Sequence, residues 1–358
     1  MSRVTYVPIL RWKRAEQKAL ERVDDAERSL IKPLLEFTPR DYRAKKSRPH
    51  PTVTNVALSH IDTIEKVWGG RPAFVDYELL PSRLRSKGGA HPLRELARLG
   101  ENREVSLIPV ATLRMQPHEY LVVREAERRM GQGVGIRLKR RDLIADDLPD
   151  RVKRTMGAVG VSRATTDLLM DYEVTSRGAP AIASILTTLG SPQMWRSTVA
   201  ISGAFPKDLT GFSPGEHLHH RADLAWWRSQ ISKGIAPTDA FGDYTIQYPL
   251  FSEPPEFANF SASIRYTTDD HWVVMRGEGV FNDDGPGFAQ WPANAQLLCD
   301  RHEYCGPSFS YGDRYISEMS RQQTKTGNAE TWLRAGLNHH LVFTTRQLAN
   351  LFENEGEA

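Results

Sequence analysis

The chain has 358 residues, 40% of them hydrophobic and 25% charged, a balance that excludes general disorder and suits one large domain or two modest ones. Its 47 Lys and Arg stand against 44 Asp and Glu, and the net charge of +3 is too small for a protein that coats nucleic acid over its whole surface. Two cysteines, Cys299 and Cys305, are too few for a disulfide framework or a Cys-rich zinc site, so two free thiols are expected.

The N-terminal residues 1–13 lack the apolar core of a signal peptide, and no run approaches the ~20 apolar residues of a membrane span. A cytoplasmic protein with no membrane partner is therefore expected. Along the chain, short apolar runs alternate with charged, helix-patterned segments. The runs are 6–10, 31–37, 73–78, 106–113, 134–138, 167–172 and 197–202. The helical segments are 14–28, 53–68, 92–99, 119–130, 148–159, 179–189 and 216–231.

Seven strand–helix units in a row predict a parallel sheet wrapped by helices, and an eighth closes a (β/α)8 TIM-like barrel. The competing open, doubly wound sheet carries a Gly-rich turn after its first strand. Here that turn is Leu10-Arg11-Trp12-Lys13, without glycine. The eighth strand is expected at 244–250 or at 262–267, the latter continuing into 272–276 as a hairpin. Helices are expected at 293–303 and 341–352. The domain reading is a barrel over 1–267, a hairpin and helical segment over 268–352 that closes or caps it, and a polar frayed tail over 353–358.

The opening Tyr6-Val7-Pro8-Ile9-Leu10-Arg11-Trp12-Lys13 with Glu16 and Ala19-Leu20 is followed by Pro33-Leu34-Leu35-Glu36 and Phe241-Gly242-Asp243-Tyr244. Gly312-Asp313, Gly327-Asn328, Trp332 and Gly336-Leu337-Asn338-His339-His340 complete the series. In this order the motifs resemble the beta protein family of phages and bacteria, over nearly the whole chain. The resemblance implies a setting among mobile elements and conflict with phages. It brings no catalytic residue and no cofactor.

A barrel of this class carries its site at the C-terminal ends of the strands. Those ends supply Arg11 and Lys13, Glu36, Asp76 and Glu78, Arg114, Arg137 and Lys139, Asp171, and Ser202 with Gly203. Buried charge is costly unless paired, so these groups either form a ring of structural ion pairs or face a wet pocket. As a pocket, Arg11, Arg114 and Arg137 offer forked donors to a phosphorylated or nucleotide-like ligand, or to nucleic acid. Ser202-Gly203 offers backbone N–H groups to a phosphate. Glu36, Asp76 and Asp171 are candidates for general acid–base work or for one hard cation such as Mg²⁺. Lys13, beside Trp12, is a candidate desolvated amine. The chemistry this set favours is hydrolysis or phosphodiester cleavage; a non-catalytic sensor or scaffold for a protein partner is the alternative.

Other features have structural explanations beside functional ones. His217 and His220 would share a helical face, as metal ligands can. Asn338 is a plausible helix N-cap for His339-His340, whose tail could instead fold over the mouth. Basic runs lie at 40–48 and 137–141, with Tyr42 placed to stack on a base. Of the adjacent pair Trp226-Trp227, one is expected to meet the C-terminal segment or a partner.

Overall fold

The computed structural model describes residues 4–43, 51–175, 179–231, 238–253, 259–322 and 326–356. Seven strands follow the apolar runs: β1 (Tyr6–Leu10), β2 (Leu34–Glu36), β3 (Pro72–Asp76), β4 (Ser106–Thr112), β5 (Val134–Lys139), β6 (Thr166–Val174) and β7 (Ser197–Gly203). After β8 (Gly215–His220) comes β9 (Ala240–Asp243), which pairs in parallel with β7 and β1 and closes an eight-stranded barrel. Strands buried on both faces need apolar side chains at every position, which is why these runs are continuous and do not alternate. The inward set, including Val7, Ile9, Leu34, Phe74, Val110, Leu169, Val199 and Ile201, fills the barrel with a dry layer.

The eighth barrel strand is therefore 240–243, not 244–250 or 262–267. It is only four residues long, and Gly242 lacks the side chain that would mark it as strand. That absence is required: a Cβ there would lie 2.7 Å from Cγ1 of Ile201 and 2.8 Å from the carbonyl oxygen of Val7.

The helix expected over 216–231 is also corrected. Residues Gly215–His220 form strand β8, and a helix runs only over Ala222–Ser229. Strand β8 joins the antiparallel hairpin of β10 (Ile264–Thr267) and β11 (His271–Arg276) in a three-stranded sheet, as an edge strand beside β11. His217 and His220 consequently lie on opposite faces of a strand. The boundary expected between 267 and 268 falls in the turn of this hairpin.

The small sheet, the helices Gln290–Cys299 and Tyr311–Ser320, and the long helix Ala329–Gly356 enclose a second core around Trp291, Ile316 and Trp332. The long helix packs on the barrel helix Arg14–Leu20. Asn338 is thus mid-helix and buried, not an N-cap. Its amide nitrogen donates to the Ala19 carbonyl (3.0 Å), and its oxygen accepts from the Gly312 N–H (2.8 Å). Trp227 does meet the C-terminal segment, packing against Phe352, while Trp226 lies against Tyr172.

The described residues of the basic runs include side chains that are turned inward. Residues 44–50 lie outside the described set, and Tyr42 is buried against His60, so it has no face open to a base. Arg137 is inside the barrel.

Candidate functional site at the barrel mouth

Inward-facing positions alternate along each strand, so the register that places Leu34 beside Phe74 places Glu36 beside Asp76 one layer higher. By the same rule Arg137 shares the inward face with Leu169. Arg137, fully buried, is the hub of this layer. Its Nε donates to Asp171 (2.8 Å), Nη1 donates to Glu36 (2.7 Å) and Asp76 (2.6 Å), and Nη2 donates to the Tyr244 hydroxyl (2.9 Å). Tyr244 in turn donates to Asp171 at 2.7 Å. Burial works against the guanidinium charge, but Tyr244, Asp171, Glu36 and Asp76 outweigh it and raise its pKa well above the ordinary value. Burial likewise pushes Asp171 up, yet Arg137 and Lys139 hold its carboxyl below the usual range.

Above the hub stands a rim. Lys139 lies 3.4 Å from Glu78, 3.4 Å from Asp171 and 3.8 Å from Glu173. Burial raises the Glu173 carboxyl from its usual value, with Lys139 pulling it back. Across the barrel, Lys13 follows β1. Its amine is lowered by burial against an opposing effect of Glu16, and it sits 5.7 Å from the ring centre of Phe251. Strands β1 and β5 are half a turn apart in the barrel order, so the residue positions of Lys13 and Lys139 lie on opposite sides of the opening.

The chain after β9 folds over one side of the mouth. Arg11 donates to the carbonyls of Tyr248 (2.6 Å) and Pro249 (2.9 Å) and lies 3.8 Å from Glu36. Pro249 rests on Gly203, where a Cβ would come within 2.6 Å of its ring.

The structure therefore gathers Glu36, Asp76, Asp171 and Arg137 into one network, with Arg11 at its edge and Lys13 on the rim. It separates three other candidates. Arg114 is half-exposed, pairs with Asp142 at 3.4 Å and lines a side cleft. Ser202 has the outward parity of its strand, and its buried hydroxyl has no partner. Gly203 makes room for Pro249. The hard-cation reading is altered as well, because the Arg137 guanidinium occupies the space between the three carboxylates. Among the described residues no group of three or more His, Cys, Asp or Glu is arranged to hold a metal ion.

Glu173 and Tyr244 were not singled out by the sequence. Glu173 continues the inward series Asp167, Leu169, Asp171, and that period-two extension was the available signal.

A second polar layer lies outside the barrel wall, under the long helix. Asp243 accepts from the Tyr6 hydroxyl (2.7 Å) and lies 2.9 Å from His340 Nε2, while His339 sits 2.9 Å from Asp313. The helix thus brings His340 to a strand-end aspartate, but on the outer face and not over the mouth.

Arg221 ties the same seam to Thr268, Thr344 and Gln347. Asp223, beside it, is pushed up to about 7 by burial, with Arg221 opposing. A raised carboxyl contributes stability below the ordinary aspartate range and loses it as pH rises through about 7. Asp223→Asn removes this titration. The stability of the variant relative to wild type should therefore rise by on the order of 2–3 kcal/mol between pH 5 and pH 8. Urea unfolding at both pH values checks this, and a pH-independent difference contradicts it.

The molecule is thus a (β/α)8 barrel whose mouth is floored by a buried arginine–carboxylate network and whose C-terminal segment forms a second core. The chain belongs to the beta protein family, whose sequence model matches residues 6–346. Among solved structures, the YdjI aldolase from Escherichia coli K12 is similar over 99% of this chain and 94% of that one, with a TM-score of 0.39 and 11% identity. Comparison with curated proteins returns no match. Among the described residues no helix is long and apolar enough to cross a membrane.

Proposed function

We propose that this protein binds a phosphate-bearing ligand in the barrel mouth, between Lys13 and Lys139, and hydrolyses it in the setting of phage–bacterium conflict. Glu173 is the proposed general base: it takes a proton from the water that attacks phosphorus, the P–O bond to the leaving alcohol breaks, and the departing oxygen takes a proton from solvent. A carboxyl raised above its usual value by burial suits that task better than one held low.

The observation that carries the reading is the place of backbone strain. Among the described residues, the non-glycine residues with left-handed φ are Trp12 (28°), Glu173 (57°) and Thr245 (58°), and all three lie on the C-terminal rim of the barrel. Such conformations cost of order 1–3 kcal/mol each and cluster where geometry serves a site.

The lysines, and not the arginines, are the proposed anion ligands. Each nitrogen of Arg137 already faces a protein acceptor, and Arg11 is held by two carbonyls. Lys13 makes no ion pair among the described residues, and the contacts of Lys139 are long. The biological setting is taken from the resemblance of the motifs to the beta protein family of phages and bacteria.

Phage plating on cells carrying the wild type, Glu173→Gln or Lys139→Met tests the proposal. Wild-type protection is expected to vanish in Glu173→Gln while its thermal midpoint stays within about 2 °C, since an isosteric change at a partly buried rim residue with only a long contact to Lys139 costs little stability. Full protection by Glu173→Gln would contradict catalysis and favour a scaffold that only docks a protein partner.

A further inference from the structure

Strands β3 and β4 are hydrogen-bonded only as far as Val75 opposite Pro109. Beyond that point the chain after β3 turns away while β4 continues to Thr112. A cleft of about 270 Å³ opens between them, backed by the helix Pro117–Met130. This is just below the ~300–1,000 Å³ of a complete small-molecule site and suits one moiety of a larger ligand. The cleft is joined to the rim by a shared side chain: Glu78 lines it and also reaches Lys139 at 3.4 Å.

Its walls and its edges differ in chemistry. Leu93, Val122 and Val123 are buried and apolar. Two polar side chains, Tyr77 and His91, stand among them. Tyr77, 5% exposed, carries a buried hydroxyl with no hydrogen-bond partner. His91 accepts the Leu93 N–H at its Nδ1 (3.1 Å), which places the ring proton on Nε2. Burial, with Arg85 and Arg94, pushes this imidazole down to about 4, so the ring is neutral at pH 7 and keeps that tautomer. A buried unsatisfied hydroxyl costs roughly 1–3 kcal/mol, and a ligand that supplies an acceptor recovers it.

We infer that this cleft is the subsite for a flat heteroaromatic ring, a nucleobase, so that the ligand of the mouth is a nucleotide. Apolar walls against the ring faces and hydrogen-bonding groups at its edge are the complement of a base. A sugar presents hydroxyls on every side and would leave them facing Leu93, Val122 and Val123. The inference rests on the mouth reading, because Lys13 and Lys139 would take the phosphate.

Isothermal titration of the full chain with AMP, GMP, CMP and UMP, against ribose 5-phosphate, separates the two readings. At least one nucleotide is expected to bind ten or more times tighter than ribose 5-phosphate. Tyr77→Phe should weaken that nucleotide roughly tenfold and leave ribose 5-phosphate unchanged. Met115→Trp, which fills the cleft, should do the same, and Tyr77→Phe keeps the test valid if that bulkier variant fails to fold. Equal affinity for ribose 5-phosphate and every nucleotide, unaffected by Tyr77→Phe, overturns the subsite. In that case loss of ribose 5-phosphate binding in Lys139→Met would still uphold the mouth. Absence of binding by all five compounds overturns both.

Discussion

Replacing Arg137 with alanine is expected to lower the free energy of unfolding by about 3–5 kcal/mol, the range for removing one partner from a buried charge network. The guanidinium is fully buried and is the shared donor to Glu36, Asp76 and Asp171. Without it, three carboxylates face one another in a space closed below by Phe74 and Leu169. Arg137→Lys should recover little, because a point charge with three donors cannot match acceptors contributed by four different strand ends.

Combining Arg137→Met with Asp76→Asn and Asp171→Asn should restore much of the loss, since the uncompensated charge is what destabilises. The sign with pH follows from the depressed Asp171 carboxyl. Its contribution is present above the ordinary aspartate range and is lost as pH falls through the lowered value. Urea midpoints of these variants at pH 7 measure the effect, and an alanine variant as stable as wild type contradicts it.

Asp243→Ala is expected to cost nearly as much, about 3–4 kcal/mol, and to act at a distance from the mouth. This carboxylate, at the end of β9, accepts from Tyr6 (2.7 Å) and the Thr245 N–H (2.9 Å) and contacts His340 on the long helix (2.9 Å). Burial raises Asp243, but His340, Tyr6 and Arg221 together hold it low. Removing it takes the carboxylate partner from a hydroxyl, an amide and the Nε2 of His340, whose Nδ1 keeps Thr267, in a dry seam. The closing strand and the C-terminal helix should loosen together. Hydrogen exchange should rise in both 240–243 and 329–348. Exchange confined to one of them would show that the seam does not couple the barrel to its cap.

The first seven strands and the carboxylates at their ends were legible because each was a local pattern: an apolar run buried on both faces, followed by an ionisable residue at a position the fold assigns to the mouth. What was not legible depended on distant partners. Strand β8, Gly-Glu-His-Leu-His-His, is a polar edge strand that exists because Trp272 stacks on His219 across the ladder. Strand β9 is strand-like only in the company of β1 and β7. Asn338-His339-His340 look like a helix start, since three polar residues in a helix interior are unfavourable until Ala19, Gly312, Asp313 and Asp243 satisfy them. The role of Arg137 was half legible: its strand end was right, but the three acids that absorb its charge lie 34 to 101 residues away.

The claim that the mouth receives an anion is tested most directly by anomalous diffraction from crystals of the wild-type protein soaked in sodium tungstate, a phosphate mimic. A peak within contact distance of both Lys13 and Lys139, lost in crystals of Lys139→Met, is the result this account predicts. Tungstate bound only at exterior arginines, with no density over the Arg137 network, would contradict it.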